Sequence, residues 1–245
     1  MKAIIIKKVG LLFFIGMTFF SCQENSNSND ASMIGKLRGD KVSTRFEQEI
    51  LNFEESDKIR FPQKNGILFT GSSSIRMWET LEKDMAPLPI INRGFGGSTT
   101  PEVIQYIDRI VFPYEPQIIV FYCGENDIHE KTLPQITVQN FKKFVGLVNE
   151  KLPDTEIIYL SMKPSIARWD EWDSYRTGNF MIKQFTNSQD KVHYLNVGRT
   201  MLVKGEIPDP NIFIEDGLHM NKHGYVRWTS MIKPLLKKLY IPEIQ

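Results

Sequence analysis

The sequence is poor in cysteine and has no large excess of charge of either sign. Its 245 residues include two cysteines, Cys22 and Cys123, in such different surroundings that a disulfide framework is not expected. Thirty lysines and arginines nearly balance 29 aspartates and glutamates, for a formal net charge of +1. That balance indicates neither nucleic-acid binding nor electrostatic docking on a membrane. With 41% hydrophobic residues, the composition suits one α/β domain, or at most two small ones.

Motifs for nucleotides and for zinc are missing where they would be expected. The glycine-rich stretch at residues 93–99 lacks both the G-x-x-x-x-G-K of a phosphate loop and the spacing of a dinucleotide fingerprint. His219 and His223 are four residues apart, but the glutamate of a zinc-protease helix is absent and Lys222 disfavours a cation. A metal site formed by these two histidines with Asp216 stays an alternative, which loss of activity with a chelator would identify.

The amino terminus carries a short apolar stretch after a basic start. Three early lysines precede Val9–Phe20, which is shorter than the roughly 20 residues of a membrane-spanning helix. Small Ser21 before Cys22 resembles a bacterial lipoprotein signal, in which the cysteine is acylated, although Phe19 stands where leucine is commoner. An ordinary secretory signal and a short uncleaved anchor are the alternatives. We predict a lipoprotein-type signal over residues 1–22, with lipid attached to Cys22.

A polar segment separates this predicted signal from the region that can fold. The Asn- and Ser-rich residues after Cys22 are typical of a flexible tether, which we place at 23–39. Residues 40–245 are then predicted to form a single domain. All three interpretations of the amino terminus put that domain outside the cytoplasm. We expect an exported lipoprotein anchored to a membrane of a bacterial envelope, in the periplasm or at the cell surface, without a nucleic-acid partner. The oligomeric state is left open.

Strand-like and helix-like segments alternate along the predicted domain. Apolar, β-rich runs predict five strands, at residues 67–69, 89–92, 117–123, 156–162 and 192–197. Helical spacing predicts helices at 42–59, 75–85, 103–114, 133–152 and 220–240, an irregular and then helical segment at 163–189, and a loop at 200–213. This alternation predicts an α/β fold whose parallel sheet is covered on both faces. Ligands in such folds bind at the carboxyl ends of the strands.

The most informative stretch is Ile67–Trp78, in which an apolar run turns through Gly71 and three serines into a helix-like segment. A turn between strand and helix can expose a serine at the carboxyl edge of a sheet. The helix amino terminus then offers N–H groups to a developing anion. The alternative is an ordinary loop in which a serine caps the helix.

Three later segments complete the candidate site. The glycine-rich loop ends in a Thr-x-x-Glu capping box, and the most strongly predicted strand, 117–123, is followed by Gly-Glu-Asn-Asp at 124–127. The loop before the last helix carries Asp216 and His219, which could together serve a hydrolytic serine as base and orienting carboxylate. We interpret His193 as structural and find no partner for His129. Cys123 is interpreted as a small buried residue, with a cysteine nucleophile as the weaker alternative.

In this order, the four segments resemble the four blocks of the SGNH hydrolases, also called GDSL esterases and lipases. Gly71-Ser72-Ser73 is similar to the family's Gly-Asp-Ser, which makes Ser73 the nucleophile. The resemblance assigns Gly97 and Asn126 to the oxyanion hole, together with the backbone N–H of Ser73. It assigns Asp216 and His219 to the family's Asp-x-x-His. The similarity runs from about residue 66 to residue 225.

The resemblance implies a three-layer, flavodoxin-like fold with a sheet of about five parallel strands. It also implies hydrolysis of esters through an acyl-enzyme, without metal or cofactor. Ser72 departs from the family, which usually has aspartate there, and this leaves Ser74 as a rival nucleophile. We favour Ser73 because the family's serine is two residues after the glycine.

The substrate is the least determined part of the prediction. No long apolar segment suggests a lipase lid, so we expect short acyl esters of the acetyl type, on carbohydrate or another small molecule. The alternatives are a lysophospholipase-like lipid acylhydrolase, an acyltransferase with the same triad, and a glycan-binding lipoprotein without catalysis.

Overall fold

The computed structural model describes residues 44–242, which form a parallel sheet covered by helices on both faces. The strand order is β2-β1-β3-β4-β5, and each neighbouring pair is parallel. The strands are β1 Ile67–Gly71, β2 Ile90–Gly94, β3 Ile118–Tyr122, β4 Glu156–Leu160 and β5 Val192–Leu195. This is the order of flavodoxin-like sheets, so the predicted fold class is confirmed.

The helices alternate with these strands. They are α1 Glu47–Ile59, α2 Ser73–Arg76, α3 Leu81–Met85, α4 Thr100–Gln105, α5 Ile107–Ile110, α6 Glu125–His129, α7 Pro134–Lys151, α8 Trp172–Thr186 and α9 Lys222–Leu239. Short 3₁₀ turns lie at Phe112–Tyr114, Trp169–Glu171, Gly198–Met201 and Pro210–Ile212. No helix within residues 44–242 has both the length and the apolar character needed to cross a bilayer.

Side chains on β3 show how one strand supplies two separate cores. Because successive side chains point to opposite faces, Ile119 and Phe121 join the cluster under α1, α4, α5, α7 and α8. Ile118 and Val120 join the cluster under α2, α3 and α9. All five residues of β3 are buried, which is why its sequence is apolar without alternation.

The structure differs from the sequence-based expectations in three connections. The helix predicted at 75–85 is broken between α2 and α3, where buried Trp78 donates its indole N–H to Asp84 Oδ2 at 2.7 Å. The helix predicted at 103–114 is divided into α4, α5 and a 3₁₀ turn. The loop predicted at 200–213 contains a short antiparallel ribbon, β6 Leu202–Val203 and β7 Ile207–Pro208, turned by Lys204 and Gly205 at positive φ.

The predicted signal, Cys22 and the predicted tether lie outside the described residues, as do the first two residues of the helix predicted at 42–59.

Candidate active site

The turn after β1 places Ser73 at the carboxyl edge of the sheet. Gly71 has a φ of +125°, and a Cβ there would lie 1.9 Å from the carbonyl oxygen of Tyr122 on β3. Only glycine therefore fits this position without displacing the neighbouring strand. Ser72 is extended, with its N–H donating to the same carbonyl at 2.9 Å, and Ser73 is the first residue of α2. The chain thus turns sharply and presents Ser73 at a helix amino terminus.

Ser73, His219 and Asp216 form one hydrogen-bonded chain. His219 Nε2 lies 2.9 Å from Ser73 Oγ, and His219 Nδ1 lies 2.6 Å from Asp216 Oδ2. An ionised carboxylate can only accept, so Nδ1 carries the proton and Nε2 is free to accept the serine hydroxyl hydrogen. The serine and the histidine are 146 positions apart, so the fold alone brings them together.

The loop before α9 holds its aspartate and histidine in a fixed relation. Asp216 Oδ1 accepts hydrogen bonds from the backbone N–H groups of Leu218 at 2.8 Å and His219 at 2.9 Å. Burial raises the pKa of Asp216, but the hydrogen bonds from the His219 ring and from these two N–H groups outweigh it and leave the pKa below its ordinary value. The carboxylate is therefore kept ionised beside the imidazole.

Gly97 and Asn126 face each other beside Ser73. A Cβ on Gly97 would lie 3.7 Å from Asn126 Nδ2, so glycine leaves this space open. The Asn126 amide donates one hydrogen to Ser98 O at 3.0 Å, and its Oδ1 accepts from Arg168 at 2.9 Å. These bonds fix the amide orientation and leave the second Nδ2 hydrogen for another acceptor. In the described part of the chain, the N–H groups of Ser73 and Gly97 donate to no protein acceptor.

These groups line one small cleft of about 230 Å³. Its other lining residues are Arg45, Arg76, His129, Glu130, Arg168 and Leu218. A larger groove of about 610 Å³ lies against β2 and contains none of the predicted site residues. We therefore place the site by its hydrogen-bonded groups and not by cavity size.

Ser74 and Cys123 are placed differently from Ser73. Ser74 is 2% exposed, and its backbone carbonyl accepts a hydrogen bond from Tyr225 OH. Among the described residues, it is Ser73 and not Ser74 that contacts the histidine. Cys123 is also 2% exposed, and burial raises the pKa of its thiol well above the ordinary value. A thiol with such a pKa is a poor nucleophile, in keeping with the interpretation of Cys123 as a buried small residue.

None of the other three histidines is hydrogen-bonded to Ser73 within the described residues. His193 lies on β5 and contacts Glu156 of β4 at 2.6 Å. The expectation that His129 lacks a partner is wrong, because its Nδ1 lies 2.9 Å from Glu171 Oε1. His223 is exposed in the first turn of α9. Both ring nitrogens of His219 are hydrogen-bonded, and residues 44–242 contain no cluster of three side chains suited to a metal.

The structure adds polar neighbours that sequence reasoning missed. Lys163, 0% exposed, lies 3.3 Å from Glu125 Oε1, next to Asn126 in the chain, and Tyr122 OH donates to Glu125 Oε2. Burial lowers the pKa of Lys163. Lys163 follows β4 at the same sheet edge as the other site segments. That position after a strand end was the one sequence feature that could have indicated that Lys163 lies near the site. Nothing in the local sequence indicated that Arg168 would reach Asn126.

Several known structures share this fold. A protein from Streptococcus pneumonia, provisionally described as a platelet activating factor, has 21% identity and a TM-score of 0.69, over 84% of this chain and 99% of that chain. A GDSL-like lipase from Bacteroides thetaiotaomicron has 20% identity and a TM-score of 0.67, over 77% and 97%. A catalytic mutant of an acetylxylan esterase from Geobacillus stearothermophilus has 10% identity and a TM-score of 0.59, over 75% and 98%. At these identities the likeness shows the fold.

No functionally curated protein matches the sequence. The sequence profile of the GDSL-like lipase/acylhydrolase family matches residues 67–227, from the first strand of the sheet into the last helix. That range contains Ser73, Gly97, Asn126, Asp216 and His219. The chain belongs to the GDSL-like lipase/acylhydrolase family.

Proposed function

We propose that this protein is a serine esterase that hydrolyses short acyl esters through a covalent acyl-enzyme. The observation that carries the proposal is the continuous chain of hydrogen bonds from Ser73 Oγ through both nitrogens of His219 to Asp216. A serine hydroxyl is a weak nucleophile until an adjacent base removes its proton, and the base needs a partner that fixes its tautomer. The three side chains meet both requirements.

In the first half of the reaction, Ser73 Oγ attacks the ester carbonyl carbon while His219 Nε2 takes the hydroxyl proton. Asp216 orients the ring and stabilises the imidazolium that forms. The tetrahedral intermediate then collapses, the bond from carbon to the alcohol oxygen breaks, and Nε2–H protonates the leaving alcohol. The acyl group stays on Ser73.

The negative charge on the carbonyl oxygen develops next to three donors. These are the N–H of Ser73 at the start of α2, the N–H of Gly97, and the second amide hydrogen of Asn126. Because the Asn126 amide is already held by Ser98 and Arg168, it needs no reorientation when the charge forms. Donors that are positioned before the reaction stabilise a transition state most effectively.

In the second half, water takes the place of the alcohol. His219 Nε2 removes a proton from water, the hydroxide oxygen attacks the acyl carbon, and the returning proton restores Ser73 as the carboxylic acid leaves. All atoms come from ester and water, so the proposal calls for no cofactor.

A short acyl group agrees with the size of the cleft. Its volume of about 230 Å³ is below the roughly 300–1,000 Å³ of pockets that hold drug-sized ligands. The acetylxylan esterase with a similar fold supports acetyl-type esters on carbohydrate as the substrate class. We further propose that a lipid on Cys22 anchors the enzyme to a bacterial envelope, which would place it beside envelope glycans.

The test is hydrolysis of 4-nitrophenyl acetate by the wild type and by Ser73→Ala and Ser74→Ala. Loss of the nucleophile is expected to lower kcat/KM by on the order of 10³-fold or more. Ser74→Ala removes a buried hydroxyl that does not contact His219, so its kcat/KM is expected to stay within about tenfold of the wild type. A Ser73→Ala protein that hydrolyses the ester at the wild-type rate would disprove the assignment. Loss with Ser74→Ala alone would keep the reaction class and move the nucleophile by one residue.

A further inference from the structure

Three arginines converge on the cleft beside Ser73. Arg45, Arg76 and Arg168 line its wall, and Glu130 is the one acidic residue among the described lining residues. The chain as a whole has a net charge of +1, so this concentration of positive charge is local. The esterase mechanism above uses none of these charges directly, since backbone and amide groups supply its oxyanion donors.

Arg76 differs from the other two arginines, each of which donates a hydrogen bond to a described side chain. It is three residues after Ser73 on α2, so the two side chains lie on the same side of that turn. Its ion pair from Nε to Glu49 Oε2 is long at 3.9 Å, and Glu49 also accepts the N–H of Gly96 at 3.0 Å. Within residues 44–242, the Arg76 side chain forms no hydrogen bond, and it is 48% exposed. Its planar fork of donors is therefore open to a ligand.

Arg168 and Arg45 complete the positive wall. Arg168 donates to Asn126 Oδ1 at 2.9 Å, and no carboxylate within the described residues lies within ion-pair distance of it. Arg45 NH1 lies 3.1 Å from Glu130 and 4.0 Å from Glu102, while its NH2 lies 3.7 Å from the position that a Cβ on Gly97 would occupy. All three arginines thus line the cleft that also contains Ser73.

We propose that this cleft binds an ester whose molecule also carries an anionic group, a carboxylate or a phosphate, within about one sugar ring of the scissile bond. The inference rests on the proposed esterase function and names the substrate class of the same site. Guanidinium forks match carboxylate and phosphate oxygens in pairs of hydrogen bonds. Arg45 is already paired with Glu130, so Arg76 and Arg168 are the two guanidinium groups that a bound anion would pair most directly. An acyl ester on an acidic sugar or on a sugar phosphate meets the requirement.

The experiment compares kcat/KM for three acetyl esters that differ in one group. These are an acetylated methyl glucoside, the methyl glucuronide acetylated at the same hydroxyl, and the corresponding acetylated sugar phosphate. The wild type is expected to favour at least one anionic ester over the neutral one by about fivefold, the upper end of what one exposed charge pair contributes. The preference is expected to weaken as sodium chloride is raised, because salt screens exposed charges. Preference for only one of the two anions identifies the source of the charge.

Three variants test whether the preference depends on Arg76 itself or on positive charge anywhere on the surface. Arg76→Gln is expected to reduce the ratio of anionic to neutral kcat/KM by up to about fivefold, and Arg76→Lys is expected to retain part of the preference. Arg199→Gln makes the same charge change at an exposed residue that does not line the cleft, and it should leave the ratio unaltered. Equal hydrolysis of all three esters by the wild type, or an unaltered ratio in Arg76→Gln, would overturn the anion site while leaving the esterase assignment in place.

Binding measured without turnover tests the anion site independently of the esterase activity. The Ser73→Ala protein is titrated with methyl glucuronide, inorganic phosphate and methyl glucoside. Preferential binding of an anion, combined with no hydrolysis of any ester by the wild type, would overturn the esterase and retain the anion site. Equal binding of the glucuronide and the glucoside, with no binding of phosphate, would overturn the anion site.

Discussion

Two histidine–carboxylate pairs in this protein have the same contact distance and very different surroundings. His219 Nδ1 lies 2.6 Å from Asp216, and His193 Nε2 lies 2.6 Å from Glu156. The first pair has a serine hydroxyl 2.9 Å from the opposite ring nitrogen. Within the described residues, the opposite nitrogen of His193 is hydrogen-bonded to no protein group. A histidine held by a carboxylate is thus not by itself a catalytic base.

Position in the sheet explains the difference. Glu156 is the first residue of β4 and His193 the second residue of β5, so this pair lies toward the amino ends of the strands. His219 and Asp216 lie on a loop at the carboxyl edge, where the turn after β1 presents Ser73. Parallel α/β sheets bind ligands at that edge because the loops there are free to carry polar groups around the helix amino termini.

Replacing the two histidines in turn should give the largest contrast. His219→Gln removes the base from Ser73, so kcat/KM for 4-nitrophenyl acetate is expected to fall by on the order of 10³-fold or more. His193→Gln is the matched control, and its kcat/KM should stay close to the wild-type value. Comparable losses in both proteins would show that the geometric distinction between the pairs has no catalytic meaning.

The two carboxylates should show the same contrast with a smaller effect. Asp216→Asn keeps the shape but no longer holds His219 in the required tautomer, so kcat is expected to fall by roughly 10²–10³-fold. The loss should be less than for His219→Gln, because the Asp216 side chain is 42% exposed and water can replace part of its interaction. Glu156→Gln makes the equivalent change in the other pair. If it lowered kcat as much as Asp216→Asn, the comparison would fail.

Asp127 is a useful third case, because this carboxylate lies at the carboxyl edge of the sheet but accepts a hydrogen bond from a backbone N–H and not from a histidine. It is 1% exposed, accepts from Thr100 N–H at 2.9 Å, and burial raises its pKa from 3.8 to about 6. Between these values the folded chain holds a proton that the unfolded chain releases, so stability falls as pH rises through this window. Relative to Asp127→Asn, the wild type should lose about 2 kcal/mol of unfolding free energy between pH 4 and pH 7.

Urea denaturation of both proteins across this pH range measures that difference. Asp216, whose pKa is lowered, should behave in the opposite sense, with its contribution lost only as pH falls into the acid range. A stability difference between wild type and Asp127→Asn that does not change with pH would show that Asp127 is ionised in the folded chain.

Much of the architecture could be predicted because it depends on local patterns. Apolar runs such as 117–123 become central strands since both of their faces are buried, and the Thr99–Glu102 capping box forms as its spacing indicates. Thr99 N–H donates to Glu102 at 2.9 Å. The helix breaks near Trp78 were missed because they depend on where a buried indole finds an acceptor, which periodicity does not report.

The polar neighbours of the site could not be predicted for a different reason. Arg168 and Asn126 are 42 positions apart, as are His129 and Glu171, and no spacing rule relates side chains at such separations. Lys163 and Glu125 pair inside the fold, although a buried lysine would not be expected from its sequence context alone.

By itself, the amino-acid sequence determined the order of strands and helices, and it determined that four polar segments follow strand ends or precede the last helix. Those features are local, because side-chain periodicity and turn residues act within a few positions. The resemblance favoured Ser73 over Ser74, but only the tertiary structure shows which hydroxyl lies beside His219 and that three arginines share the cleft with it. Both depend on how the sheet edge and the helix starts are placed in space, since a rotation of one residue along α2 is enough to turn a hydroxyl from the cleft into the core.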